Sequence, residues 1–203
     1  KLLSLNPDRV ALYGYAHVPW MAKRQQLIPS DTLPSPQERL KLFETARQLF
    51  LWDDYAEIGI DHFAAKTDSL AIAQAENRLR RNFQGYTDEP SEVLIGLGAS
   101  SISRFPQGYT QNAPATSAHT AAIRDGRFST SRGHVFEGQD QLRARLIESI
   151  MCDFRIKADD ICAEFGLSHK QIGAIIQTAT KPFEGQITLD ESGLFIPETA
   201  RPL

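Results

Sequence analysis

At 203 residues with 41% hydrophobic side chains, the chain is long enough to bury one substantial core, or a core with a small satellite domain. A formal net charge of -3 gives no electrostatic reason to expect a nucleic-acid partner, since phosphate backbones are held by clustered Lys and Arg. No apolar run approaches the roughly 18 residues that cross a bilayer, and Lys1-Leu2-Leu3-Ser4 shows neither an initiator Met nor a signal-peptide pattern. A cytoplasmic protein with no membrane partner, cut at its amino end, is expected.

The first predicted element is the apolar run at residues 9–13, of the kind a strand buried on both faces shows. It leads into Gly14-Tyr15-Ala16-His17-Val18-Pro19, and Pro19, Pro29 and Pro34 keep the segment before the next helix irregular. That helix starts after Ser35, with Pro36 suited to its first position and Glu38 completing S-x-x-E. Leu40, Phe43, Ala46, Leu49 and Phe50 supply its apolar face. Residues 55–60 read as a second strand running into Asp61-His62-Phe63-Ala64. Residues 68–81 read as a helix, 83–86 as a polar-aromatic connection, and 94–99 as a third strand ending at Ser100. A short helix over 116–124 is expected to stop at Gly126.

Strands alternating with helices imply a parallel sheet, with chemistry gathered at the carboxy ends of its strands. His17, Asp61, His62 and Ser100 lie just past three such ends. Three strands do not close a barrel, so the expected fold class is α/β, a partial (βα) barrel over residues 1–132. From about Gly133 the pattern becomes helical: Leu142, Leu146, Ile147 and Ile150 mark one helix, and 159–165 a second ended by Gly166. Ser168 caps a third, with Gln171 completing S-x-x-Q, and a hairpin over 187–196 comes last. Three helices and a hairpin predict a small winged-helix-like cap domain over 133–203.

Winged helices commonly bind DNA, but seven Lys and Arg against eleven Asp and Glu leave residues 133–203 at -4. The third helix offers only His169, Lys170, Gln171 and Lys181. A metal centre built on Asp61, His62 and His17 is weakly supported, because neighbours leaving a strand point in opposite directions. Cys152 and Cys162 sit ten positions apart inside helical apolar patterns and read as buried reduced thiols, not as ligands. Arg80-Arg81-Asn82-Phe83-Gln84-Gly85-Tyr86-Thr87 is dense in donors and aromatics, and two adjacent Arg suit bidentate contact with carboxylates. That chemistry fits an acidic, flat, partly apolar ligand.

Several runs have the wording of a known family. Tyr15-Ala16-His17-Val18-Pro19, Leu33-Pro34-Ser35-Pro36, Gly59-Ile60-Asp61-His62-Phe63-Ala64, Arg81-Asn82-Phe83-Gln84-Gly85-Tyr86-Thr87 and Gly98-Ala99-Ser100-Ser101-Ile102-Ser103 resemble the oxygen-independent coproporphyrinogen III oxidases in order and spacing. Tyr109-Thr110-Gln111-Asn112, Arg132-Gly133 and Ile150-Met151-Cys152 extend the resemblance over nearly the whole chain. It implies the carboxy-terminal portion of a radical S-adenosylmethionine enzyme. In that family a four-iron–four-sulfur cluster and S-adenosylmethionine, with room for a second such molecule, drive oxidative decarboxylation of coproporphyrinogen III to protoporphyrinogen IX in haem synthesis.

Carried over position by position, the resemblance implies cofactor contacts at Ala16 and Ile102 and catalytic roles for Phe83 and Gln84. Arg81, Asp61, His62 and Tyr86 are the inferred substrate contacts. The departures Gly14, Trp20 and Ala99 look tolerable. The family's C-x-x-x-C-x-x-C loop is absent, so this chain alone is expected to be inert and to hold no cluster. The parent is expected to be a monomer, and the chain to self-associate through exposed strand edges. Two other readings are kept: a noncatalytic haem- or porphyrin-binding relative, and a winged-helix DNA-binding protein.

Overall fold

In the computed structural model, which describes residues 1–201, the first strand is an edge and not a buried centre. β1 (Arg9–Ala11) pairs antiparallel with β3 (His62–Ala65), and β3 pairs antiparallel with β2 (Tyr55–Ile58), giving the order β1-β3-β2. This corrects the expected parallel sheet: every strand pairing among the described residues is antiparallel. The reason lies in the connections. Only Gly59, Ile60 and Asp61 separate β2 from β3, and so short a link reverses the chain, whereas a parallel return needs a crossover of about a dozen residues or more.

Between β1 and β2 runs α1 (Pro36–Trp52). The Ser35 side chain accepts from the Glu38 amide, and the Glu38 carboxylate accepts from the Ser35 amide at 2.8 Å, the reciprocal cap that the sequence predicts. Its apolar face is only partly covered. Phe50 is buried, with its ring stacked on Phe63 at 4.6 Å and edge-on to Tyr55 at 5.7 Å, while Leu40 and Leu49 remain exposed. The helix therefore holds the β1-β3-β2 sheet by its carboxy-terminal end.

α2 (Ser69–Ala75) is shorter than the predicted 68–81. Asn77 turns left-handed at φ 55, and a hairpin of β4 (Arg80–Asn82) and β5 (Gly85–Thr87) comes next, with Phe83 and Gln84 as its tip. The predicted strand at 94–99 is also absent. Only Leu94 bridges to Arg104, and the Asn112 side-chain amide donates to the carbonyls of Gly96 (3.2 Å) and Gly98 (2.9 Å), so a side chain takes the place of a strand partner. The next three strands are ones that the hydrophobic pattern does not reveal. β6 (Ile102–Phe105), β7 (Gly108–Asn112) and β8 (Thr130–Val135) form an antiparallel sheet in that order, with α3 (Thr116–Arg124) between the last two.

The carboxy-terminal elements take the predicted order: α4 (Asp140–Asp153), α5 (Ala158–Phe165), α6 (His169–Thr180), then the hairpin β10 (Thr188–Asp190) and β11 (Gly193–Phe195). One further strand, β9 (Arg155–Lys157), pairs with β11. Leu142, Leu146, Ile156, Ile161, Ile172 and Leu194 form their common core. α4 also sends Cys152 into a second core with Ile58, Leu70, Leu79 and Tyr86, so one helix serves both. The expected boundary at 132/133 falls inside β8, which runs on to Val135. Among the described residues no helix is long and apolar enough to cross a membrane.

Candidate functional site

The turn between β2 and β3 and the β4–β5 hairpin meet at Tyr86. Its hydroxyl accepts from the Ile60 amide at 3.0 Å and donates to the Met151 carbonyl at 3.0 Å, which ties three separate segments to one oxygen. Gly59, at φ +55, lies so close to this ring that a Cβ there would overlap it. The His62 imidazole packs edge-on against Tyr86 at 5.0 Å and against Tyr13 at 5.9 Å. The Arg81 guanidinium lies 5.3 Å from the Tyr86 ring centre, and its Nη1 reaches the Met151 sulfur at 3.1 Å. Its Nε is buried without a hydrogen-bond partner.

Asp61, His62, Tyr86 and Arg81 are thus brought together. Strand alternation alone does not require Asp61 and His62 to share a site, but they do, since Asp61 belongs to the turn and only His62 to the strand. With the strand alternation broken, Asp61 Oδ1 meets His62 Nδ1 at 2.7 Å. A carboxylate on Nδ1 fixes the orientation of the ring. Phe83 stands at the hairpin tip, 55% exposed, edge-on to Tyr109 at 4.8 Å. Gln84 beside it is exposed, its backbone N–H donating to Asn82 Oδ1 at 2.7 Å.

Ala16 lies in the irregular segment after β1 with its carbonyl accepting from the Gln25 side chain, and Ile102 opens β6 opposite Gln111. No hydrogen bond or aromatic contact among the described residues joins either to the Tyr86 cluster. Met151, Gly59 and Tyr109 belong to the site's framework, and residue type alone assigns them no role. The alternation of aromatic and small residues through Gly85-Tyr86-Thr87 and Gly108-Tyr109-Thr110 is the trace that strand periodicity would leave there.

The residues present do not fit an iron–sulfur cluster. Cys152 is buried on α4, its thiol pushed up to about 12 by burial and then by Glu148 and Asp153, and Cys162 lies on α5. Among the described residues no three His, Cys, Asp or Glu side chains gather into a ligand set. Tyr86 is likewise pushed up to about 12 by burial, against the opposing pull of the Ile60 amide and Arg81.

The unfolded chain would ionise these groups near 8.5 and 10, so it releases protons first as pH rises. The stability these two groups contribute is therefore fully present below about pH 8.5 and is lost as pH rises toward 12. Thermal melts between pH 8 and 11 are expected to show the decline, shallower in a Tyr86→Phe, Cys152→Ala variant. An unchanged slope in that variant would assign the decline to other groups.

No protein-family model matches the chain. The solved structure of an Escherichia coli coproporphyrinogen III oxidase, described as a radical SAM enzyme, superposes with a TM-score of 0.90 at 32% identity. The match covers 99% of this chain and 47% of that one, so the fold is one found within a radical SAM enzyme. Within that class the whole of this chain is similar to the oxygen-independent coproporphyrinogen III oxidases. It is 62% identical to that of Paracoccus denitrificans, covering 100% of this chain and 45% of the relative. It is 56% identical to one from Cereibacter sphaeroides, again covering 100% and 45%. The chain therefore spans about half the length of the curated relatives it matches.

Proposed function

We propose that this chain is the substrate-side portion of an enzyme that converts coproporphyrinogen III to protoporphyrinogen IX by oxygen-independent oxidative decarboxylation in haem synthesis. The observation that carries this reading is 62% identity over every residue of the chain to an enzyme of that name. Neither a haem-binding protein nor a DNA-binding protein is favoured by the comparisons. In the complete enzyme a four-iron–four-sulfur cluster and S-adenosylmethionine would supply the radical chemistry. Among the described residues no ligand set for the cluster gathers, and the contribution of this chain in that reading is binding, orientation and water exclusion.

In this reading Arg81 meets a substrate carboxylate, and His62, held by Asp61, presents Nε2 to it. Tyr86 fixes both, while Phe83 and Gln84 at the hairpin tip touch the reacting side chain. Ala16 and Ile102 line the S-adenosylmethionine site. The division into a partial-barrel part, 1–132, and a winged-helix-like cap, 133–203, belongs to the same proposal. The helix–strand–helix–helix–hairpin order from α4 to β11 supports the cap. Self-association of the isolated chain would run through the open edges of β1 and β2.

The direct test replaces the matching stretch of the Paracoccus denitrificans relative with this chain and assays it anaerobically with coproporphyrinogen III. Conversion within about tenfold of the relative's own is expected, while the 203-residue chain alone produces no deoxyadenosine. A chimera that still cleaves S-adenosylmethionine but forms no protoporphyrinogen IX would overturn the proposal.

A further inference from the structure

A cleft of about 810 Å³ opens between the β4–β5 hairpin, the β6-β7-β8 sheet and α4; Arg81 lines it, and Asp61, His62 and Tyr86 do not. Its size falls in the range of small-molecule sites. One wall is a ladder of rings: Phe83 stands edge-on to Tyr109 at 4.8 Å and 90°, and Tyr109 edge-on to Phe136 at 4.9 Å and 87°. Such a wall offers aromatic faces and edges to the aromatic rings of a ligand.

The charges around it are unevenly committed. Asp140 is taken by His134 at 2.8 Å and by the Glu137 amide, Glu148 by Arg80 and by the Arg81 amide, and Glu164 by Arg145 at 3.0 Å. Among the described residues the guanidiniums of Arg81, Arg104 and Arg143 have no carboxylate within ion-pair distance. On the acidic side only Glu92 lacks a cation. The Arg81 Nε is, in addition, buried with no acceptor at all. Leaving a buried guanidinium nitrogen unpaired is costly, and surplus cations around an aromatic wall are what a ligand with several carboxylates on an aromatic body would neutralise.

We infer that this cleft is a binding site for a polycarboxylate carried on linked aromatic rings, with Arg104 and Arg143 as its carboxylate anchors and the Phe83–Tyr109–Phe136 ladder as its bed. This rests on the proposed function, and it names the carboxylate-bearing rim of the tetrapyrrole as what those two arginines hold. Arg104 belongs to β6 and Arg143 to the exposed side of α4, so the two anchors come from different elements of the cleft.

The probe is coproporphyrin III, the stable four-carboxylate porphyrin, titrated against the 203-residue chain by fluorescence quenching beside the two-carboxylate mesoporphyrin IX. The chain is expected to prefer coproporphyrin III by about tenfold or more. An Arg104→Ala, Arg143→Ala variant should lose roughly a hundredfold in affinity for it and lose the preference as well, while Arg127→Ala, whose side chain pairs with Asp125 in an exposed turn, changes neither. Should the double variant unfold by circular dichroism, Arg143→Ala alone decides, since its side chain is outside the cores and its loss is expected to cost about tenfold. Affinity unchanged in these variants, or equal for the two porphyrins in the parent chain, would overturn the inference. If the chimera converts coproporphyrinogen III while coproporphyrin III binding ignores both arginines, the cleft assignment fails and the proposed function stands. If the chimera fails while the arginine dependence holds, the reverse is true.

Discussion

Replacing Gly59 by alanine is expected to destabilise the chain by about 2–5 kcal/mol, because two costs fall on one methyl group. The residue sits at φ +55, where a side chain costs roughly 1–2 kcal/mol, and the added carbon overlaps the Tyr86 ring, which must move. Moving Tyr86 loosens its hydroxyl from the Ile60 amide and the Met151 carbonyl and uncouples it from His62. Urea unfolding measures the cost, and a cycle with Tyr86→Ala separates its parts. Once the ring is gone, Gly59→Ala should cost only about 1–2 kcal/mol. If the substitution costs the same with and without the ring, close packing of Gly59 on Tyr86 is not what holds this site together.

This coupling also shows why sequence reading reaches the residues of the site but not its framework. Asp61, His62, Arg81 and Tyr86 are legible as chemistry, because donors, carboxylates and aromatics stand out at any spacing. Their meeting depends on a three-residue turn, and a turn of that length excludes the parallel connection that alternating strands and helices suggest. Where a local rule is strong the sequence is sufficient. Ser35 with Glu38 and Ser168 with Gln171 form the reciprocal caps their spacing predicts, and Gly166 ends α5 in the left-handed conformation.

The strands that leave no mark in the sequence share a physical cause. β4, β5, β6 and β7 are three to five residues long, and β8 carries Thr130, Ser131, Arg132, Gly133 and His134 with every position exposed. Strands so short or so polar leave little alternation to detect, since what fixes them is pairing with a neighbour. The reverse holds at 94–99, where an apolar run with two glycines resembles a buried strand. There the Asn112 side chain donates to the backbone carbonyls that a neighbouring strand would have taken. The aromatic ladder of the cleft is hidden for the same reason, because Phe83, Tyr109 and Phe136 come from three segments whose pairing is non-local.

Truncating Ile172 to alanine should cost about 2–5 kcal/mol, the usual range for emptying a fully buried aliphatic site, and the loss should be unevenly distributed. Ile172 is 0% exposed and packs in a cluster drawn entirely from residues 142–194, whereas Phe50, Tyr55 and Phe63 form a core of their own far upstream. α4 links the later core to a third cluster, contributing Leu142 and Leu146 to the former and Cys152 to the group around Tyr86, and it adds nothing to the Phe50 core. Hydrogen exchange should therefore show α5, α6, β9 and β11 losing protection by the full amount, α4 by less, and β2 and β3 by the least. Equal loss everywhere would mean that α4 transmits the whole of the change and that the two-part division has no energetic counterpart. A graded loss would mean that the later elements open as a unit while the Tyr86 cluster stays closed, which is the behaviour a separable cap requires.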